Sequence, residues 1–310
     1  MLTIYKKTDE KMTTIEVIEK GTWVHLCSPT EDEIKLVSDR LQVETDWVRA
    51  ALDEEETSRI ETENGKYLII FDTPVVETEG KNYLYTTIPL GVIITDEAFV
   101  TISTKDSPLF NDFTEGRVKT FYPHKKTRFL LQLLYRNATR FLQYLKQIDK
   151  TSTHIQNDLS KSMKNKELFQ LLALQKSLVY FSTSLSSNDM IYEKLKKFDF
   201  IKRYEEDLDL IEDVIIENRQ AIEMCNIYRD ILSGTMDAYA SVISNNLNIV
   251  MKLLAVITII MSIPTIIGSI WGMNVPLPMQ DNPYAFIILT SSTVIISVIV
   301  ALIMRKKNMF

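Results

Sequence analysis

The hydrophobic pattern changes character twice along the chain. Up to residue 122, short β-rich runs (Trp23–Cys27, Lys66–Val76, Tyr83–Thr95 and Phe99–Ser103) alternate with turn residues, and five of the eight glycines and five of the nine prolines lie at or before Pro123. Two helical stretches interrupt these strands. One starts at Thr30, where Thr30-x-x-Glu33 has the form of a capping box; the other covers Glu44–Glu55. Strands mixed with short helices predict an α/β domain over residues 1–122. From Pro123 to Pro264 there is one glycine, Gly234, and no proline in between, which predicts long helices. Leu131, Leu134, Ala138, Phe141, Leu145 and Ile148 recur at alternating spacings of three and four, an apolar stripe of helix. Leu171, Leu174, Leu178, Phe181 and Leu185 form a second stripe, and the polar stretch Asp149–Lys166 between the two is where a turn is expected. Residues 123–201 therefore read as a helical region. A third helix begins near Lys202 and meets no stop signal before Trp271. Its stalk part covers 202–252, and its full length is roughly 105 Å at ~1.5 Å per residue, too long for a compact domain.

The C-terminal part is apolar all round. Leu253–Gln280 and Tyr284–Met304 hold no charged residue. Within them, 253–273 and 284–304 are each about 31 Å long at ~1.5 Å per residue, enough to cross a bilayer. The connecting loop 274–283 has no Lys or Arg, whereas Lys252 and the tail 305–310, with Arg305, Lys306 and Lys307, flank the spans. By the positive-inside rule both termini are cytoplasmic and the loop is outside, as in a multi-pass protein of the plasma membrane. The basic tail reads as an anchor to anionic lipid headgroups of the bilayer.

Charge and cysteines narrow the classes. The chain carries −6 in all and residues 253–310 carry +2, so residues 1–252 carry −8. An acidic soluble part argues against a nucleic-acid partner and is compatible with attracting metal cations. Cys27 and Cys225 are no disulfide framework and suit a reducing cytosol. The N-terminal MLTIYKKTDEKMTT holds no apolar stretch long enough for a signal peptide. There is no Gly-rich phosphate loop, no nucleophile paired with His and no zinc signature, so nothing marks an enzyme or a resident cofactor. His25, His124 and His154 are scattered without metal-ligand spacing and none is near the spans, which weighs against a Zn²⁺, Co²⁺ or Ni²⁺ transporter built on soft ligands.

The first span is not a plain anchor. Thr258, Ser262, Thr265 and Ser269 share one helix face, which extends to Leu254 and Met251 below and Gly272 above. Such a hydroxyl stripe has two readings: close helix packing with hydroxyls bonded back to their own backbone, or a water-facing pore wall. One two-span chain cannot enclose a pore, so the second reading requires an oligomer with the first span innermost. A membrane scaffold or sensor would require neither the stripe nor the residues that end it. Pro264 inside the span removes one backbone donor. In the stalk, Glu205, Glu206, Asp207, Asp209, Glu212, Asp213 and Glu217 read as a solvated charged face opposite Leu208, Ile211 and Ile215.

The first span ends in Trp271-Gly272-Met273-Asn274. Upstream stand Tyr228–Gly234, Met236–Tyr239 and Asn248-x-x-Met251-Lys252-x-Leu254. Together with two C-terminal spans and a basic tail, these segments resemble the CorA family of magnesium channels, in detail over about 228–307. The resemblance implies a funnel-shaped homopentamer with five first spans around the pore. It implies a selectivity filter of Gly272, Met273 and Asn274, and a pore lined by Thr265, Ser262, Leu254 and Met251, on the stripe that also holds Thr258 and Ser269. It implies divalent-cation transport, with Mg²⁺ as substrate and as regulatory ligand. Asp213 aligns with a family carboxylate that binds Mg²⁺ between subunits and keeps the channel shut; Asp53–Glu56, Glu77 and Glu79 are candidates for its partner. The sequence departs from the family in the outer loop, where Asp281 is the only acidic residue and the usual glutamates are absent.

Overall fold

The computed structural model describes residues 1–8, 11–79, 82–118, 120–162, 165–202, 204–275 and 282–307. The chain forms two units, Met1–Gly234 and Thr235–Phe310.

The first unit is built on a seven-stranded sheet. Its strands are β1 (Leu2–Thr8), β2 (Lys11–Ile15), β3 (Thr22–Cys27), β4 (Arg59–Glu63), β5 (Lys66–Glu79), β6 (Asn82–Ile94) and β7 (Ala98–Ser103), in the order β2-β1-β3-β7-β6-β5-β4. Only β3 and β7 pair in parallel; the other neighbours are antiparallel. The four strands expected from sequence are present; β1 and β2 extend the sheet beyond β3, and β4 extends it beyond β5. Helices cover both faces, because side chains along each central strand alternate between two cores. Trp23, Ile69, Phe71 and Phe99 enter one core, with Phe110, Phe113, Phe121 and Phe129. Val24, Leu68, Ile70 and Val100 enter the other, against α1 (Glu31–Leu41) and α2 (Thr45–Ala50). The Trp23 ring lies 5.2 Å from Phe129 and 6.1 Å from Phe121, both edge-on.

Local chemistry sets the helix ends. Both hydrogen bonds of the expected capping box are made between Thr30 and Glu33 at the start of α1. The second expected helix, Glu44–Glu55, is shorter: α2 stops at Ala50 because the chain turns over Ala51–Glu56, where the Asp53 side chain accepts from the Glu55 N–H. The tight fit of α2 on the sheet needs Gly91, since a Cβ there would lie 2.4 Å from that of Ala51. A further short helix, α3 (Pro108–Thr114), is capped by Ser107.

The long helices follow: α4 (Lys126–Ser162), α5 (Asn165–Leu195) and α6 (Glu205–Trp271). Most of the polar stretch 149–166, where a turn is expected, is helical, since α4 runs to Ser162 and α5 starts at Asn165; residues 163 and 164 between them lie outside the described residues. Both apolar stripes are buried, and Phe141 meets Phe181 edge-on at 5.0 Å. A polar clamp ties them to the sheet. Asp72 stands opposite Pro89, which has no N–H to donate. Asn188 of α5 takes both backbone groups of Asp72, accepting from its N–H at 2.8 Å and donating to its carbonyl at 2.9 Å. Asn137 of α4 donates to the same carbonyl at 2.8 Å.

The base of α6 is pinned to its neighbours. Asn218, fully buried, donates to the Leu185 carbonyl at 3.1 Å, and Cys225 donates to the Leu178 carbonyl at 3.2 Å. Arg219 pairs with Glu193 at 2.6 Å, and Lys196 with Glu212 at 2.7 Å. One member of the expected solvated face is corrected: Asp207 is buried, 3.3 Å from Arg128 of α4, because the first turn of α6 docks there.

The second unit holds the remainder of α6, 67 residues long in all, and α7 (Ala285–Lys306). Both helices are apolar and long enough to cross a membrane.

Candidate pore and regulatory site

Side-chain position on α6 follows from helix geometry. Thr258, Ser262, Thr265 and Ser269 lie on one face by their spacing of four, three and four. Thr258 donates to the Leu254 carbonyl at 2.8 Å, Ser262 to the Thr258 carbonyl at 2.7 Å and Thr265 to the Met261 carbonyl at 3.1 Å. The protons of these three hydroxyls are thereby satisfied inside their own helix, as an apolar medium requires. The oxygen lone pairs are left pointing outward as acceptors, so an α6 face can be wet without exposing a backbone group. Met251 and Leu254 continue this face and are exposed in the single chain.

The helix ends at Trp271, where Gly272 N–H donates to the Gly268 carbonyl at 2.9 Å and Met273 N–H to the Ile270 carbonyl at 3.3 Å. Gly272 sits against its own helix, with room for no more than a strained Cβ at 3.3 Å from the Gly268 carbonyl. Met273 and Asn274 follow, both exposed. The Asn274 carboxamide is thus presented just beyond the last turn. Asp281 lies outside the described residues.

Asp213 is exposed on α6, on the side away from buried Ile211, Val214 and Ile215. Tyr135 of α4 lies beside it: burial first, and then the carboxylates of Glu217 and Asp213, raise the Tyr135 hydroxyl above its ordinary pKa. Among the described residues no group of three or more His, Cys, Asp or Glu gathers where a metal could be held. Three of the acidic candidates of the first unit pair with cations. Lys105 lies 2.5 Å from Glu77 and 3.6 Å from Glu54, and Glu56 pairs with Arg59. The side chain of Glu79 lies outside the described residues.

Both cysteines are free, and burial pushes the Cys225 thiol up to about 12, which makes it inert. His25 is buried on β3. The Trp23 indole N–H donates to Thr101 Oγ1 at 2.9 Å, so the threonine proton is left for His25 Nδ1, also 2.9 Å away. Burial lowers the ring's pKa to about 4 and keeps it neutral. It is a core histidine, not a ligand in waiting. Sequence reading missed the Asn137–Asp72–Asn188 clamp; the signal was Pro89 in a central strand, which leaves a backbone group in need of a partner.

Known proteins agree with this architecture. The family profile described as CorA-like Mg2+ transporter protein matches residues 19–306. The cobalt/magnesium transport protein CorA of Methanocaldococcus jannaschii is 28% identical over 296 residues, covering 92% of this chain and 90% of the relative. The complete structure of the CorA magnesium transporter from the same organism superposes with a TM-score of 0.85 at 24% identity, over 100% of this chain and 99% of the other. The cytoplasmic domain of ZntB from Vibrio parahaemolyticus shares the fold more distantly, with a TM-score of 0.60 at 13% identity over 79% of this chain and 97% of that one. Since the profile spans all but the first 18 and last four residues, the chain belongs to the CorA-like Mg²⁺ transporter family.

Proposed function

We propose that this membrane protein is a divalent-cation channel that takes Mg²⁺ up across the plasma membrane, with both termini cytoplasmic. The observation that carries the reading is the hydroxyl stripe of α6, bonded back to its own helix and ending at the exposed Asn274. Five copies, with α6 innermost, would enclose the pore. Mg²⁺ holds its waters tightly and prefers octahedral oxygen coordination. A ring of neutral Asn274 carboxamides accepts hydrogen bonds from those waters without stripping the ion. The hydroxyl oxygens of Thr265, Ser262 and Thr258 then receive the hydrated ion, and Leu254 and Met251 form an apolar constriction that gates by dewetting. An inside-negative potential drives a dication inward by ~4.6 kcal/mol per 100 mV.

Cytosolic Mg²⁺ closes the channel in this reading. Among the described residues no complete metal site surrounds Asp213 within one chain, and in this reading its partner carboxylate belongs to a neighbouring subunit. Empty, the two carboxylates repel; bridged by a dication, they hold the closed assembly together.

The test is purified protein in liposomes with an internal Mg²⁺ dye and an imposed inside-negative potential, with Co²⁺, Ni²⁺ and Zn²⁺ run in parallel. Mg²⁺ entry that stops in Asn274→Ala supports the reading. Entry of Zn²⁺ alone would keep the fold and change the cargo. No flux of any dication, also with Asp213→Lys, would leave a non-transporting scaffold.

A further inference from the structure

Pro264 interrupts the backbone ladder of α6. An unbroken helix would give the Ile260 carbonyl the N–H of residue 264; proline has none, and its ring crowds the same carbonyl. In a bilayer, a carbonyl freed in this way takes its donor from a neighbouring helix or from a Ser or Thr side chain. The α6 hydroxyls beside it are engaged elsewhere: Ser262 donates to the Thr258 carbonyl and Thr265 to the Met261 carbonyl.

A donor stands opposite. Ile260 and Pro264 line a groove between the C-terminal stretch of α6 and α7, and Ser297 of α7 lines its other wall. Depth agrees as well. At ~1.5 Å per residue, Ile260 lies roughly 17 Å from the end of α6 at Trp271, and Ser297 roughly 18 Å from the start of α7 at Ala285. In an antiparallel pair the two are therefore level. Thr290, Ser292 and Thr293 of α7 donate back to carbonyls of their own helix. The Ser297 Oγ does not: it is sealed within the chain and has no partner among the described residues. A hydroxyl without an acceptor and a carbonyl deprived of its helical donor thus face one groove. Gly268, one turn beyond Pro264 on the same wall, leaves α7 room to approach, since a Cβ there would meet nothing within 4 Å.

We propose that Ser297 is a latch between the two spans: its hydroxyl donates to the Ile260 carbonyl as α7 closes on α6, and so sets the bend of α6 at Pro264. The bend falls between Ser262 and Thr265 of the hydroxyl stripe, so the latch fixes how Met251 and Leu254 lie relative to Asn274. The proposal rests on the membrane reading of α6 and α7. Its test is a double-mutant cycle on the full-length protein in detergent, read as the midpoint of thermal unfolding. Ser297→Ala lowers the midpoint by about 2 °C, the size of one interhelical hydrogen bond, and Ser297→Thr restores it. Pro264→Ala returns an N–H to the Ile260 carbonyl, so on that background Ser297→Ala changes nothing. An equal loss on both backgrounds overturns the latch, because Ser297 then bonds back to its own helix or acts by packing. No loss on the wild-type background overturns it too. Where Pro264→Ala does not assemble, Ile260→Cys combined with Ser297→Cys reads the approach directly. Mild oxidation gives a disulfide within one chain; no disulfide, or one that joins two chains, overturns the latch. Flotation with lipid vesicles separates the two levels. Protein that floats but shows an additive cycle overturns the latch alone, and protein that never floats overturns the membrane reading too.

Discussion

Asn274 and His25 carry opposite kinds of residue-scale consequence. Asn274 is exposed, so Asn274→Ala leaves folding and assembly intact while Mg²⁺ entry falls to the level of empty liposomes, read with the internal dye. His25 is buried and neutral. Its folded pKa of about 4 lies below the unfolded 6.5, so between those values the unfolded chain binds a proton that the folded chain refuses. Its contribution is complete above pH 6.5 and is lost as pH falls to about 4, by about 3 kcal/mol at ~1.36 kcal/mol per unit. The His25→Asn variant, whose amide can still accept from Thr101, loses that slope in thermal denaturation across the same pH range. The sequence singles out Asn274, because it ends an unmistakable span. It left His25 undecided between surface and core, because burial depends on which strand neighbours it.

Among the elements, α5 and α6 show how a helix is held by more than its apolar stripe. The α5 stripe was readable from its spacing. Asn188 was not, because its partners are backbone groups 116 residues away, freed by a proline on the next strand. Asn188→Ala leaves the Asp72 N–H without its partner while the carbonyl keeps Asn137, and costs about 1–3 kcal/mol of stability in denaturant titration. On α6 the acidic run divides by contact: Asp207 is consumed by Arg128, Glu212 by Lys196, and Asp213 stays exposed. Asp213→Lys therefore leaves the fold unchanged and moves the midpoint of closure by cytosolic Mg²⁺ upward by at least about fivefold, the low end of ordinary coupling between sites. A midpoint that stays put would remove Asp213 from regulation.

For the whole molecule the decisive quantity is the number of chains. A single copy exposes Met251, Leu254 and most of the apolar surface of α6 beyond Gly234. In a membrane the lipid-facing part of that surface is satisfied by acyl chains, but a face of hydroxyl acceptors is served only by water, and water in a bilayer requires a closed ring around it. Mass measurement of the detergent-solubilised protein is expected to give five subunits; a dimer would remove the pore.

Taken by itself, the sequence determined the layout: an α/β domain, long helices, two spans and an Asn274-ended hydroxyl stripe. These follow from local periodicity, from the absence of charge over a bilayer's width and from turn residues, all of which act over a few positions. Tertiary structure decided what depends on distant neighbours. It set the order of seven strands with one parallel pair, the added strands β1, β2 and β4, and the short α2. It also set the burial of Asp207 and the clamp on Asp72. Each of these rests on which groups lose water on folding. That is settled by packing across the chain, where a polar residue is buried only if a partner far along the sequence is already in place.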